Sequence, residues 1–64
     1  MDPDANLREQ REYATMLLQD LDREGFVPGP DFCFNAEQLA NLVHALDIWM
    51  CKGGALPVQW KALR

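Results

Sequence analysis

The chain has 64 residues, a hydrophobic content of 48% and a formal net charge of −4. That length has room for one domain and excludes a second, and the hydrophobic content is too high for a disordered chain. No apolar run approaches the roughly 18 residues that a membrane-spanning helix needs. The acidic start, Met1-Asp2-Pro3-Asp4, lacks the basic and apolar regions of a signal peptide. We therefore expect a cytoplasmic protein that does not bind a membrane.

Charge is distributed unevenly along the chain. Residues 1–31 hold eight acidic residues and three arginines, a net −5, whereas residues 32–64 hold two acidic and three basic residues, a net +1. An ordinary solvated first helix would explain this pattern, and an acidic surface that binds a basic partner or mimics nucleic acid is the alternative. Direct binding to nucleic acid is disfavoured, because it requires clustered lysines and arginines.

The first predicted helix covers about residues 3–24. Asp2 can cap the free amides at its start, and proline is well suited to the first helical position that Pro3 would occupy. Apolar residues then recur at helical spacing and form one face: Leu7, Ala14, Leu17, Leu18 and Leu21. Gly25 is expected to end the helix as its left-handed cap.

Residues 25–34 are predicted to form an apolar connecting loop, because Pro28, Gly29 and Pro30 disfavour regular structure. The aromatic residues Phe26 and Phe32 are unusual in a linker that only connects two helices. We expect the loop to fold back as a lid over one end of a helical hairpin. The alternative is a loop that binds a partner.

The second predicted helix covers about residues 35–52. Asn35 with Gln38 resembles a capping box, and Phe34 with Leu39 resembles a hydrophobic staple. An almost uninterrupted apolar stripe follows: Leu39, Leu42, Val43, Leu46, Trp49 and Met50. Lys52 and Gly53 are typical of a helix C-terminus.

A short third helix is predicted at about residues 57–63, with Pro57 in its first turn. Its apolar residues Leu56, Trp60 and Leu63 could fold back onto the hairpin. The predicted fold is therefore all-α: an antiparallel two-helix hairpin with an apolar connecting loop and a short third helix.

One stretch of the C-terminal half resembles a known pattern. Leu46-Asp47-x-Trp49, followed by Gly53-Gly54-x-Leu56-Pro57-x-x-Trp60, is similar to short uncharacterised helical proteins of actinobacteria and their bacteriophages, over about residues 39–60. Ala55 departs from the pattern, which has a large apolar residue there. The resemblance implies a small helical protein of phage type, in the host cytoplasm if phage-encoded. It implies no activity and no catalytic residue.

The residues that could support chemistry do not converge on one site. Cys33 and Cys51 would lie at opposite ends of the second helix, more than about 20 Å apart, whereas a disulfide needs Cα atoms within about 7 Å. We expect two free thiols. His44 is the only histidine and is predicted at the surface, about 10 Å from Cys51, so neither a zinc site nor a Cys–His pair is expected. We also expect too little concave volume for a substrate pocket. The prediction is a protein that is not an enzyme and has no metal or cofactor.

Several apolar residues lie where no core is expected. Ile48 is opposite the stripe of the second helix, and Met16, with Tyr13 on its flank, is opposite Leu7 on the first. Trp60 would be a core residue or a partner-binding residue. Together with Phe32 these form the candidate partner-binding set: Tyr13, Met16, Phe32, Ile48 and Trp60.

Two functional hypotheses follow from these features. The first is a small protein–protein interaction module, such as a phage-encoded adaptor or inhibitor of a host protein. The second is a homodimer in which two hairpins form a four-helix bundle. It would bury apolar residues that a monomer is expected to leave partly exposed: Leu7, Met16, Leu17, Leu42, Ile48 and Trp49. A nucleic-acid mimic is a weaker third hypothesis.

Overall fold

A computed structural model describes residues 1–61 of the chain and shows an all-helical hairpin followed by a short helix. The helices are α1 (Pro3–Leu21), α2 (Pro30–Cys51) and α3 (Val58–Lys61). The long helices pack against each other. The predicted fold class is confirmed. Ala62 and Leu63, which the predicted third helix included, lie outside the described residues.

Helix α1 starts where the sequence predicts. The Asp2 carboxylate accepts hydrogen bonds from the backbone N–H groups of Asp4 at 3.0 Å and Ala5 at 3.2 Å, and Pro3 occupies the first turn. The helix ends at Leu21, three residues before the predicted boundary, with Asp22 as its C-cap. Gly25 does adopt a positive φ of 72°. It does so in a separate turn, closed by a hydrogen bond from Phe26 N to the Arg23 carbonyl oxygen at 3.2 Å.

Helix α2 starts five residues earlier than predicted. Gly29 is its N-cap in an extended conformation, Pro30 lies in the first turn, and Cys33 N donates to the Gly29 carbonyl oxygen at 3.0 Å. The predicted cap at Asn35 is therefore wrong. Proline breaks a helix interior but fits the first turn, because the first amides have no helical acceptor and its φ is already helical. The connecting loop is consequently residues 22–29.

Helix α2 ends at Cys51, within one residue of the predicted boundary, and Gly53 follows it as the sequence predicts. Gly53 has a φ of 87° and donates its N–H to the Met50 carbonyl oxygen at 3.0 Å, while Gly54 N donates to the Trp49 carbonyl oxygen at 2.9 Å. This pair of bonds is the Schellman motif, which satisfies carbonyls that the helix end leaves free. The motif directs residues 54–57 back toward the hairpin, where Pro57 is buried.

The hydrophobic core between α1 and α2 is small. Leu46, Leu7 and Leu17 are the buried apolar residues of the described helices, and Leu46 is only 2% exposed. The expectation that Leu7 and Leu17 stay partly exposed in a monomer is therefore wrong, since both face α2. Leu42 and Trp49 are half-buried, and Met16 and Ile48 are exposed, as expected.

A polar residue also belongs to this helix interface. Asn6 is buried, and its side-chain amide donates to the Leu42 carbonyl oxygen at 3.0 Å. The side-chain oxygen of Asn6 accepts a hydrogen bond from the side-chain amide of Gln10 at 2.6 Å. The bond joins the start of α1 to the second half of α2, so the two helices run antiparallel. It also sets their axial register, since a shift would leave a buried amide without a partner.

The loop provides less of a lid than predicted. The rings of Phe26 and Phe32 pack with their centroids 5.0 Å apart, and the Arg23 guanidinium lies 5.5 Å from the centroid of Phe26. Val27 and Phe34, however, are exposed. Only Phe26 and Phe32 contribute to a small aromatic cluster, because Phe32 and Phe34 lie in the first turns of α2 and point to different sides of it.

Candidate functional site

The candidate site is a groove between α1 and the start of α3. Two contacts hold its walls together: the Asp4 carboxylate accepts a hydrogen bond from Val58 N at 2.7 Å, and the Arg11 guanidinium donates to the Gln59 side-chain oxygen. Asp4 thereby satisfies an amide at the start of α3, which has no acceptor within its own helix. The groove exists because the Gly53-Gly54 turn brings the C-terminal segment back onto α1.

The groove has a volume of about 950 Å³ and is open to solvent. Its lining includes apolar side chains, from Leu7, Met16 and Val58, and charged side chains, from Asp4, Arg8, Arg11 and Glu12. The expectation of too little concave volume is therefore wrong. A lone hairpin would lack such a groove, but α3 supplies the second wall. Pockets that bind ligands have volumes of about 300–1,000 Å³.

The charges around the groove are of both signs, with Arg8 and Arg11 lying between Asp4 and Glu12 along α1. Arg8 and Glu12 are four residues apart and lie on the same side of the helix. The ion pair formed within residues 1–61, Arg23 with Asp20 at 3.2 Å, lies at the other end of α1. Arg8 and Glu12 therefore have their charges available to a molecule in the groove.

The five predicted partner-binding residues do not form one surface. Met16 lines the groove and is 39% exposed. Tyr13 is half-buried on α1, and Trp60 is half-buried in α3. Phe32 packs on Phe26, and Ile48 is exposed on α2, outside the residues that line the groove. Of the five, Met16 alone lines the groove.

Val58 and Gln59 are site residues that the sequence analysis missed. They line the groove and contact Asp4 and Arg11, which precede them by 54 and 48 residues. Nothing in the local sequence pattern indicates such pairings. The proline at position 57 was the available signal, since it predicted a short helix that could fold back on the hairpin.

The residues considered for metal binding and catalysis lie elsewhere, on α2. Cys33 and Cys51 are free and exposed, and 18 helical residues separate them by about 27 Å. The Cys51 sulfur lies 4.0 Å from an Asp47 carboxylate oxygen, and His44 is exposed. Within residues 1–61, no three of the Asp, Glu, His and Cys side chains are arranged to hold a metal ion.

The groove itself contains one hydroxyl group, that of Thr15. This hydroxyl donates a hydrogen bond to the Arg11 carbonyl oxygen at 2.8 Å, so it serves its own helix. The groove thus offers apolar contact area and charges of both signs, which are features of a recognition surface.

Comparison of the chain with protein-family models, with curated proteins and with solved structures gave no match. Among the helices of residues 1–61, none combines the length and the hydropathy that crossing a bilayer requires.

Proposed function

We propose that this chain is a small protein–protein interaction module that binds its partner in the groove between α1 and α3. The observation that supports this function is a groove of about 950 Å³ on a 64-residue chain, lined by both apolar and charged side chains. Protein interfaces commonly combine apolar contact area with polar and charged groups. The proposal extends to a phage-encoded adaptor or inhibitor of a host protein that acts in the cytoplasm; the resemblance to phage-type proteins supports the origin and implies no activity.

The shape of the groove favours one kind of partner. Its residues extend from Asp4 to Met16 along α1, which is about 18 Å at 1.5 Å per residue. That length matches about three turns of an amphipathic helix, which binds such a groove through apolar residues at positions i, i+3 or i+4, and i+7. We infer that the partner helix has two or three apolar residues flanked by acidic residues near Arg8 and a basic residue near Glu12.

Two other functions receive less support from the groove. A nucleic-acid mimic would need a continuous acidic surface, but Arg8 and Arg11 interrupt the acidic residues of α1. Catalysis needs a nucleophile beside a base, and the groove combines carboxylates and guanidinium groups with a hydroxyl that is bonded to its own backbone. The absence of enzymatic activity stays a prediction.

The test is a pair of lysine substitutions on α1. Met16→Lys places a charge among the apolar residues of the groove, whereas Leu18→Lys is the matched control, because Leu18 is 66% exposed and does not line the groove. Both positions are exposed, so both variants should retain the helical content of the native chain by circular dichroism. Proteins captured from a host lysate by the native chain are identified, purified and titrated against all three chains.

We expect Met16→Lys to weaken binding by at least about thirtyfold, the loss that truncating a hot-spot residue of an interface causes. Leu18→Lys should change the affinity less than about threefold, as substitutions outside an interface do. A purified partner that binds Met16→Lys as tightly as the native chain would contradict the assignment of the groove. A partner whose binding is weakened only by Leu18→Lys would show that the binding surface is on the other side of α1.

A further inference from the structure

The groove depends on the short segment that follows the turn at the end of α2. We call residues 56–61 the strap; they include α3, and two of them, Val58 and Gln59, line the groove. The opposite wall belongs to α1 and extends from Asp4 to Met16. The groove therefore has both of its walls only while the strap lies against α1.

The residues that precede the strap are held by α2. Gly54 N donates to the Trp49 carbonyl oxygen at 2.9 Å, and the Trp49 indole N–H donates to the Ala55 carbonyl oxygen, also at 2.9 Å. The backbone of Gly54 lies against the indole ring so closely that a methyl group would not fit between them. Residues 53–55 are thus fixed to the end of α2, and the chain is first free to change direction after Ala55.

The strap itself is attached to α1 mainly at the surface. Val58 N donates to the Asp4 carboxylate at 2.7 Å and the Arg11 guanidinium donates to the Gln59 side chain, and both contacts are exposed to water. Among residues 56–60, Pro57 alone is buried. Three buried leucines, in contrast, join α1 to α2. A segment with few buried apolar residues and exposed hydrogen bonds opens at a lower free energy than the core does.

The helix of the strap is too short to persist away from the hairpin. Helix α3 has four residues, and a hydrogen bond from Trp60 N to the Pro57 carbonyl oxygen at 3.1 Å closes its single turn. Forming a first helical turn is unfavourable, and isolated helices shorter than about 12 residues are marginal in water. Docking on α1 is therefore what orders the strap, and a detached strap unwinds.

We propose that the strap is a hinged wall of the groove, which detaches from α1 and unwinds as one unit while α1 and α2 stay folded together. Asp4 and Arg11 hold it in the docked state. A molecule that contacts both walls binds only this state, so its apparent affinity scales with the fraction of chains in which the strap is docked. The motion is a property of the chain alone and does not rest on the proposed function.

The test is hydrogen exchange of individual amides in the full-length chain, followed by NMR. The amides of Val58 and Trp60 report on the strap, that of Gly54 on the turn before it, and that of Leu46 on the core. The protection of the two strap amides against exchange should agree within about threefold and be at least about tenfold lower than that of Leu46. Low urea concentrations should change it little, because detaching the strap exposes little surface.

Arg11→Ala removes one attachment of the strap, and Arg8→Ala is the matched control. Both arginines are exposed, line the groove and carry one charge, but within residues 1–61 only Arg11 is bonded to the strap. Losing one hydrogen bond changes an equilibrium by about three- to tenfold. We expect Arg11→Ala to accelerate exchange at Val58 and at Trp60 by this factor, although neither amide is bonded to Arg11. The turn and core amides should exchange as in the native chain, and Arg8→Ala should change all four rates by less than about twofold.

Three results would overturn the hinged wall. Strap amides that are as strongly protected as Leu46 would show that the strap opens only when the hairpin unfolds. An Arg11→Ala variant that accelerates neither strap amide, only one of them, or both no more than Arg8→Ala does would show that the strap is not one unit held by Arg11. Equal acceleration at Gly54 would place the hinge before the Trp49 contact. The exchange is measured on the chain alone, so its outcome is independent of whether a partner binds the groove.

Discussion

Replacing Gly54 by alanine tests how the C-terminal segment is held on the hairpin. A Cβ atom at Gly54 would lie 2.5 Å from Cδ2 of the Trp49 indole and closer still to two neighbouring ring atoms. Cβ atoms essentially never come within 3.0 Å of a non-bonded heavy atom of another residue. The ring also donates its Nε1–H to the Ala55 carbonyl oxygen at 2.9 Å. The methyl group therefore forces the ring or the segment to move, and either movement breaks this hydrogen bond.

The expected cost follows from these two effects. Overpacking a methyl group costs about 1–3 kcal/mol, and the lost hydrogen bond adds about 1 kcal/mol. We expect Gly54→Ala to lower the free energy of unfolding by about 2–4 kcal/mol. That is a large part of the roughly 3–10 kcal/mol available to a chain of 64 residues. Gly29→Ala is the matched control, because a Cβ there meets nothing within 4 Å. It should change stability by less than about 0.5 kcal/mol, because the lower entropy of the unfolded chain offsets the loss of glycine at the N-cap of α2, a position that disfavours alanine.

The assay is urea unfolding at fixed protein concentration, followed by circular dichroism and tryptophan fluorescence. A double-mutant cycle with Trp49→Leu then isolates the clash, since the smaller side chain leaves space for the methyl group. In the Trp49→Leu background, Gly54→Ala should cost less than about 1 kcal/mol. An equal cost in both backgrounds, or a native-like stability of Gly54→Ala alone, would refute the reasoning.

Three further substitutions test the core, the helix register and the docking of α3. Leu46→Ala should lower the free energy of unfolding by about 2–5 kcal/mol in urea, because Leu46 is 2% exposed. A similar loss for Leu18→Ala, at an exposed position, would show that α1 and α2 pack differently. Asn6→Asp should lower the free energy of unfolding by about 1–3 kcal/mol more than Asn6→Ala does, because it places a carboxylate oxygen against the Leu42 carbonyl oxygen. Equal losses of stability in the two variants would contradict this hydrogen bond. Asp4→Ala should accelerate hydrogen exchange of the Val58 amide at least about fivefold, because it removes the acceptor of that amide. Glu12→Ala is the control, and an equal exchange rate in the two variants would show that α3 is held without Asp4.

Local signals in the sequence determined the helices and most of their ends. Asp2 with Pro3 starts α1, and Lys52 with Gly53 ends α2, because caps act through side chains and backbone conformations within a few residues of the helix end. The apolar stripe identified Leu46 as a core residue. At the start of α2 the sequence analysis assigned Pro30 to the loop and the cap to Asn35, whereas the helix begins at Pro30 with Gly29 as its N-cap. The earlier start allows Phe32 to pack on Phe26.

Only the tertiary structure decided which surface the molecule presents. The buried Asn6 is bonded to a carbonyl 36 residues away, and Asp4 is bonded to an amide 54 residues away. Neither partner is visible in helical periodicity, which describes one helix at a time. The sequence identified Met16 and Ile48 as spare apolar residues, but not that one lies in a groove and the other on the far side of α2. That separation depends on where the Gly53-Gly54 turn directs the chain, because the groove forms only when α3 lies against α1.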